Sequence, residues 1–357
     1  MRKSVTSWAL RLGAGLVIAF FSGCLLERDD GAVPLVRDGD YIPVKPVAPA
    51  GWPAIVWPAD NPYSPEKDVL GRRLFFDVGL SKGADRACMW CHAPYMGFSD
   101  IRAEALSIGT NGGITTRNSP TLANMAFARA FMHDGRFASL EAQALGPLFD
   151  HNEMDMTEAE IVAYLQADTA YVRLFRQSFG PGPVTLQGVT KALATYQRTL
   201  ISNRSPYDRW IAGDSLALSP AARRGEALFR SPRLNCASCH IPPLFTDGAF
   251  HNIGLDSAGG DVDSGRAAVT GLLSDLGRFK TPTLRNIAVT LPYMHDGRIE
   301  SLELVLKHYD EGGKNHPVKD ARIRPLGLTP GERADLLAFF EALTDTSFLL
   351  TPPFEEF

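Results

Sequence analysis

The chain repeats itself, and that repeat limits what it can fold into. Ser119-Pro120-Thr121-Leu122-Ala123-Asn124 returns as Thr281-Pro282-Thr283-Leu284-Arg285-Asn286. Phe131-Met132-His133-Asp134-Gly135-Arg136 returns as Tyr293-Met294-His295-Asp296-Gly297-Arg298, at the same offset of 162 residues. Upstream, Gly71-Arg72-Arg73-Leu74-Phe75 is echoed by Gly225-Glu226-Ala227-Leu228-Phe229. A chain of 357 residues has room for two domains, and the repeat places them at about residues 61–202 and 203–346.

Each half reads as helices. Ser64-Pro65 and Ser219-Pro220 set a capping serine before a proline at the first helical position. Thr157 with Glu160, and Thr329 with Glu332, fit the capping box. Val189, Leu193, Tyr196 and Leu200 recur at helical spacing, as do Leu336, Leu337, Phe340 and Leu343. No run of alternating strands is visible, so the expected class is all-α.

One further motif occurs in each half: Cys88-Met89-Trp90-Cys91-His92 and Cys236-Ala237-Ser238-Cys239-His240. Two thiols three positions apart add to the two vinyl groups of a haem, and the histidine that follows becomes the proximal iron ligand. A zinc site built from the two CxxC pairs is the competing reading, but it requires neither the histidines nor export. The expectation is two covalent c-type haems, attached at Cys88, Cys91, Cys236 and Cys239, with His92 and His240 on iron. The architecture is then two tandem cytochrome-c-like helical domains, each wrapped around one haem.

Export has its own signal. Arg2 and Lys3 precede an apolar run from Leu12 to Phe21, closed by Ser22-Gly23-Cys24. This reads as a secretory leader over residues 1–24, too short for a comfortable membrane span. Cys24 resembles a lipoprotein box with Phe21 where leucine is usual; ordinary signal cleavage is the alternative. A Pro-rich tether over 25–60 and a tail over 347–357 complete the expected organisation. The other four of the five cysteines belong to the two haem motifs, leaving none for a disulfide between domains. With a net charge of -4 and no block of like charge, nothing suggests a nucleic-acid partner.

Pro94 and Gly97-Phe98-Ser99-Asp100 after the first motif, with Phe250-His251-Asn252-Ile253-Gly254, Thr283-Leu284-Arg285-Asn286 and Pro292 to Gly297, resemble the bacterial dihaem cytochrome c peroxidase and MauG family. The resemblance runs from about residue 61 to 346. It implies that one haem reacts with peroxide while the other stores or relays an electron. It also implies a distal set at the first haem: Gln143, Pro147 and a catalytic Glu153. On the residues alone, Glu153 is equally a carboxylate near the helix start at Thr157. Members often block the first haem with a loop histidine. Here no histidine lies between His92 and His133, and the loop Gly109-Thr110-Asn111-Gly112-Gly113 carries none. The first haem is expected to be five-coordinate and ready to react.

Two positions depart from the family. His133 stands where a tryptophan usually bridges the haems, so it is either a relay or a structural relic paired with His295. The resemblance places the far ligand of the second haem two residues after His-Asp-Gly, at Ile299, which cannot bind iron; Met294, His295 and His251 are the substitutes. Asn118, with the carbonyls of Lys280 and Pro282, takes the family's calcium position, although a loop asparagine explains Asn118 as well. His151, His308 and His316 are expected at the surface.

Three functions follow. The first is MauG-like oxidation of a residue on a periplasmic partner protein, driven by hydrogen peroxide. The second is peroxide removal with electrons from a small cytochrome or cupredoxin. The third is electron transfer without catalysis. An unblocked iron beside Glu153 argues against the third, and Ile299 weakens the second.

Overall fold

Ser64 starts the first helix of the folded body. Its hydroxyl accepts the N–H of Lys67, and Pro65 follows it, opening α1 (Pro65–Phe76). In the computed structural model, which describes residues 41–257 and 263–349, Ser219 and Pro220 repeat this start at the head of another helix. Numbered in chain order, the helices after α1 are α2 (Cys88–Cys91), α3 (Leu140–Gln143), α4 (Leu145–Phe149), α5 (Glu158–Ala167), α6 (Thr169–Phe179) and α7 (Leu186–Thr199). There follow α8 (Pro206–Ile211), α9 (Pro220–Arg230), α10 (Ala267–Thr270), α11 (Leu302–Asp310), α12 (Pro330–Glu341) and α13 (Thr346–Leu349). The capping boxes at Thr157 and Thr329 form as expected. The only sheet among the described residues is a two-residue antiparallel pair, β1 (Phe250–His251) against β2 (Phe279–Lys280). The protein is mostly helical.

The sequence echo at Gly71 and Gly225 has a packing cause. Helix α1 lies against α7, and α9 against α12. A Cβ on Gly71 would stand 2.0 Å from the Ala192 carbonyl oxygen, and one on Gly225 would stand 2.0 Å from that of Asp335. Only glycine lets these backbones approach so closely. Asn124 and Asn286 repeat in the same way. Both hold a left-handed conformation. Asn124 donates its N–H to Leu200 and accepts from the N–H of Ser202; Asn286 does the same with Leu343 and Asp345.

Two large apolar clusters result. One gathers Leu74, Phe75, Phe98, Leu193 and Tyr196; the other gathers Phe229, Phe245, Leu336, Phe339 and Leu343. Residues within the spans read as tether and tail also make contacts with the folded body. The proposed tether is anchored from Tyr41 onward: the Tyr41 hydroxyl donates to Asp68 at 2.9 Å, and Trp52 meets the Phe127 ring edge-on beneath the Arg285 guanidinium. The tail is not free at its start, because Phe348 joins the first cluster against Phe98 at 5.2 Å between ring centres. In both cases burial of an aromatic ring outweighs the freedom of a terminal segment. The leader and Cys24 lie outside the described residues.

Candidate haem centres

Helix α2 is a single turn that presents Cys88 and Cys91 on one side and hands the chain to His92, whose N–H donates to the Cys88 carbonyl at 2.9 Å. The His92 ring is held by its Nδ1, 3.1 Å from the Phe98 carbonyl oxygen. The second motif forms a 3-10 turn, and His240 Nδ1 lies 3.0 Å from the Phe245 carbonyl oxygen. A carbonyl only accepts, so each Nδ1 carries the proton and each Nε2 keeps a lone pair for a metal. None of these four cysteines is in a disulfide. A cavity of ≈ 340 Å³ opens beside His92, walled by residues such as Leu122, Met125 and Leu140. Paired thiols, a tethered imidazole and an apolar void fit a covalent haem.

Gln143, Pro147 and Glu153 line this cavity and also a smaller one of ≈ 60 Å³ against Cys88, Cys91 and His92. Glu153 sits in a turn pinned from two sides: its N–H donates to Asp150 at 2.9 Å, and its carbonyl accepts from Thr110 at 2.7 Å. The Thr110 loop presses close because it has no side chain to spare. A Cβ on Gly109 would stand 2.1 Å from the Asn152 carbonyl oxygen. Burial, with the neighbouring Asp150 charge second, pushes the Glu153 carboxyl up to about 7. Gln143 directs its Nε2 toward the Met132 sulfur at 3.6 Å. Glu158, by contrast, is exposed on α5.

Around the second motif, the structure narrows the candidates. Ile299 packs against the second apolar cluster and pairs with Tyr293 through the backbone. His251 has both ring nitrogens engaged, Nδ1 with Asp320 and Nε2 with Asp247, each at 2.9 Å. The His295 ring stacks on Phe279 with centres 3.7 Å apart. Both imidazoles are engaged within the protein; Met294 is half-buried at a positive φ, as is its repeat partner Met132. A residue absent from the expected set stands out instead. The 162-residue offset pairs Tyr309, on α11, with Pro147. Burial, then the Cys236 and Cys239 thiols, push its phenol well above the usual range.

His133 directs Nε2 to the Asn118 carbonyl oxygen at 2.8 Å, and burial pulls its ring down to about 4. The residues expected at a calcium position make contacts of their own within the protein. Asn118 spends its Nδ2 on the carbonyls of Glu104 and Ala105. Lys280 brings its own ammonium to within 2.7 Å of the Ala130 carbonyl oxygen. Of the remaining histidines, His151 is exposed. His308 is half-buried on the Ile253 carbonyl. His316 is buried, contrary to expectation, because its Nδ1 lies 3.2 Å from Asn252 Nδ2.

Comparison with known proteins agrees with this geometry. Residues 65–216 match the family model described as di-haem cytochrome c peroxidase. The methylamine utilization protein MauG of Methylorubrum extorquens is 42% identical over 297 residues, 83% of each chain. Cytochrome-c peroxidase IdrP1 of Denitromonas iodatirespirans is 35% identical, covering 88% of this chain and 89% of its own. A crystal structure of a MauG-like protein associated with microbial copper homeostasis superposes with a TM-score of 0.81 at 35% identity, over 86% of this chain and 97% of that one.

Proposed function

This chain belongs to the di-haem cytochrome c peroxidase family that includes MauG, and on that premise we propose that it uses hydrogen peroxide to oxidise a residue on a partner protein. It is a haem peroxidase-type oxidoreductase. The observation that carries the reading is a half-buried, desolvated carboxyl, Glu153, in the same small cavity as Cys88, Cys91 and His92. Haem iron, when bound at both sites, supplies the electrons for peroxide reduction.

The chain's own residues manage the proton. Glu153, poised near neutrality, takes a proton from one peroxide oxygen and returns it to the other, so that the departing oxygen leaves as water. Gln143 and Pro147 line the face on which peroxide binds. The Gly109–Gly113 loop offers no ligand and braces the Glu153 turn instead, which favours an open first site. We read residues 61–202 and 203–346 as the two haem domains, supported by the matched bonds of Asn124 and Asn286. The second far ligand is then Tyr309. An oxygen ligand holds the second haem at a lower potential than methionine does, which disfavours electron entry from a high-potential donor and so favours the MauG-like reading over peroxide removal. Attachment of c-type haem takes place outside the cytoplasm, so the working site is the periplasm. Lipid attachment at Cys24 remains the reading of the leader.

The test is stopped-flow mixing of the haem-loaded protein with peroxide. Glu153→Gln should slow the spectral change by at least about tenfold, the low side of general acid–base catalysis; Glu158→Gln should not. Sustained turnover with peroxide and a reduced small cytochrome would shift the assignment to peroxide removal.

A further inference from the structure

Lys280 reaches from the second half of the repeat into the cavity of the first. Its Nζ donates to the Ala130 carbonyl oxygen at 2.7 Å and stands 6.0 Å from the centre of the Phe131 ring. Its backbone N–H donates to the His133 carbonyl at 2.8 Å, which fixes where the side chain departs. The residue lines the cavity that also contains His92, Gln143 and Glu153.

An ammonium has three N–H donors, and Ala130 answers one. The arginines of the same lining are provided for. Arg117 pairs with Asp134 and Asp263, Arg136 pairs with Asp134, and Arg129 is exposed. Among the described residues no carboxylate lies within ion-pair distance of Lys280 Nζ. Asp134, the anion that acts on it from further off, is already shared by two arginines. Burial consequently pulls the amine down to about 8. A buried cation without a counter-ion is unfavourable, and a cavity-lining one points to an anionic group on whatever fills the cavity. Haem carries two propionate carboxylates on the edge away from its thioether bonds.

We propose that Lys280 pairs with a propionate of the haem attached at Cys88 and Cys91, so that the second half of the chain clamps the cofactor of the first. This rests on the reading that a haem occupies the first site. Lys280 is a positioning residue. Its charge lies beside the first haem, so it favours the reduced state there, and it links that haem to the backbone of His133 at the junction of the halves.

The experiment uses the full chain, matured in a host that attaches c-type haem, as wild type, Lys280→Met, Lys280→Arg and the exposed control Lys307→Met. Haem count by intact mass comes first. A wild type without haem at Cys88 and Cys91 would overturn the haem reading itself, whatever Lys280 does. With two haems present, the reduction potential of the first haem should fall in Lys280→Met by about 59 mV, a tenfold change in the ratio of reduced to oxidised haem. Lys280→Arg and Lys307→Met should stay close to wild type. Loss of the first haem from Lys280→Met but not from Lys280→Arg also supports the pairing. Two haems and an unchanged potential in Lys280→Met would overturn it. If neither Lys280 variant accumulates, a crystal structure of the haem-loaded wild type decides: Nζ within about 4 Å of a propionate oxygen supports the proposal, and a greater separation overturns it.

Discussion

Asn118 and Lys280 bind the two halves reciprocally: Asn118 donates its backbone N–H to the His295 carbonyl at 2.8 Å, and Lys280 donates its own to the His133 carbonyl at 2.8 Å. Asn118 and Lys280 are repeat partners, and so are His133 and His295. Each half therefore offers a donor to the other's histidine, in the manner of a self-complementary dimer interface. The side chains break the symmetry. The His133 ring turns to Asn118, whereas the His295 ring stacks on Phe279.

His133→Phe should leave the reciprocal backbone bonds intact and remove the bond from Nε2 to the Asn118 carbonyl. Leaving that carbonyl without its partner costs about 1–3 kcal/mol, measurable by urea unfolding of the haem-loaded protein. The wild type also carries a pH signature at this residue. Burial holds the folded ring down at about 4, below the ordinary 6.5 of a free imidazole. The unfolded chain therefore takes up the proton first, and stability falls as pH drops from about 6.5 toward 4. His133→Phe should flatten that part of the curve; an unchanged slope would mean that another group causes it.

Gly71→Ala and Gly225→Ala should destabilise alike. Each adds a methyl where a carbonyl oxygen already stands 2.0 Å away, and overpacking of this kind costs about 1–3 kcal/mol. Gly331→Ala, with nothing within 4 Å of the added atom, is the control. If Gly71→Ala unfolds at the wild-type urea concentration, the contact between α1 and α7 is looser than described.

What the sequence makes legible is what neighbouring residues determine. The caps at Ser64, Ser219, Thr157 and Thr329, and the turns that end in His92 and His240, depend on residues within four positions of one another. Glu153 is legible only through resemblance, since its burial comes from the distant Gly109–Gly113 loop closing on it. The reciprocal bonds of Asn118 and Lys280 are long-range and leave no local signal. His316 looks like a surface histidine because its partner, Asn252, is 64 positions away. Tyr309 is different: the offset that pairs His133 with His295 also leads from Pro147 to Tyr309, so the signal is present in the chain.

Glu153→Gln should raise stability at neutral and alkaline pH while it lowers activity. Burial holds the folded carboxyl up at about 7, above the ordinary 4.5 of a free glutamate. Across that window the folded protein holds a proton that the unfolded chain has released. Stability therefore falls as pH rises from about 4.5 to 7, and the loss persists above. Glutamine has no proton to lose. Thermal unfolding of both proteins at pH 5 and pH 8 checks the sign: the variant's advantage should be larger at pH 8. An advantage that is the same at both would mean that the carboxyl is better solvated than its burial implies.

Tyr309→Phe should change the second haem and leave the first alone. The phenol of the half-buried Tyr309 lies near Cys236 and Cys239, at the position that the repeat offset pairs with Pro147. If its oxygen is the far ligand, the wild type should give a low-spin ferric signal from the second haem in electron paramagnetic resonance, and the variant should convert that signal to high spin. The second reduction potential should rise, because an anionic oxygen ligand stabilises ferric iron and phenylalanine does not replace it. Ile299→Ala is the companion variant. Ile299 packs half-buried against the second core, so this change should cost about 0.5–3 kcal/mol of stability with both spin states unchanged. Spectra that stay the same in Tyr309→Phe but shift in Met294→Leu would move the ligand to Met294. The second haem would then have a softer ligand and a higher potential, and electron entry from a small donor protein, with it the peroxide-removing function, would become the better account of the enzyme.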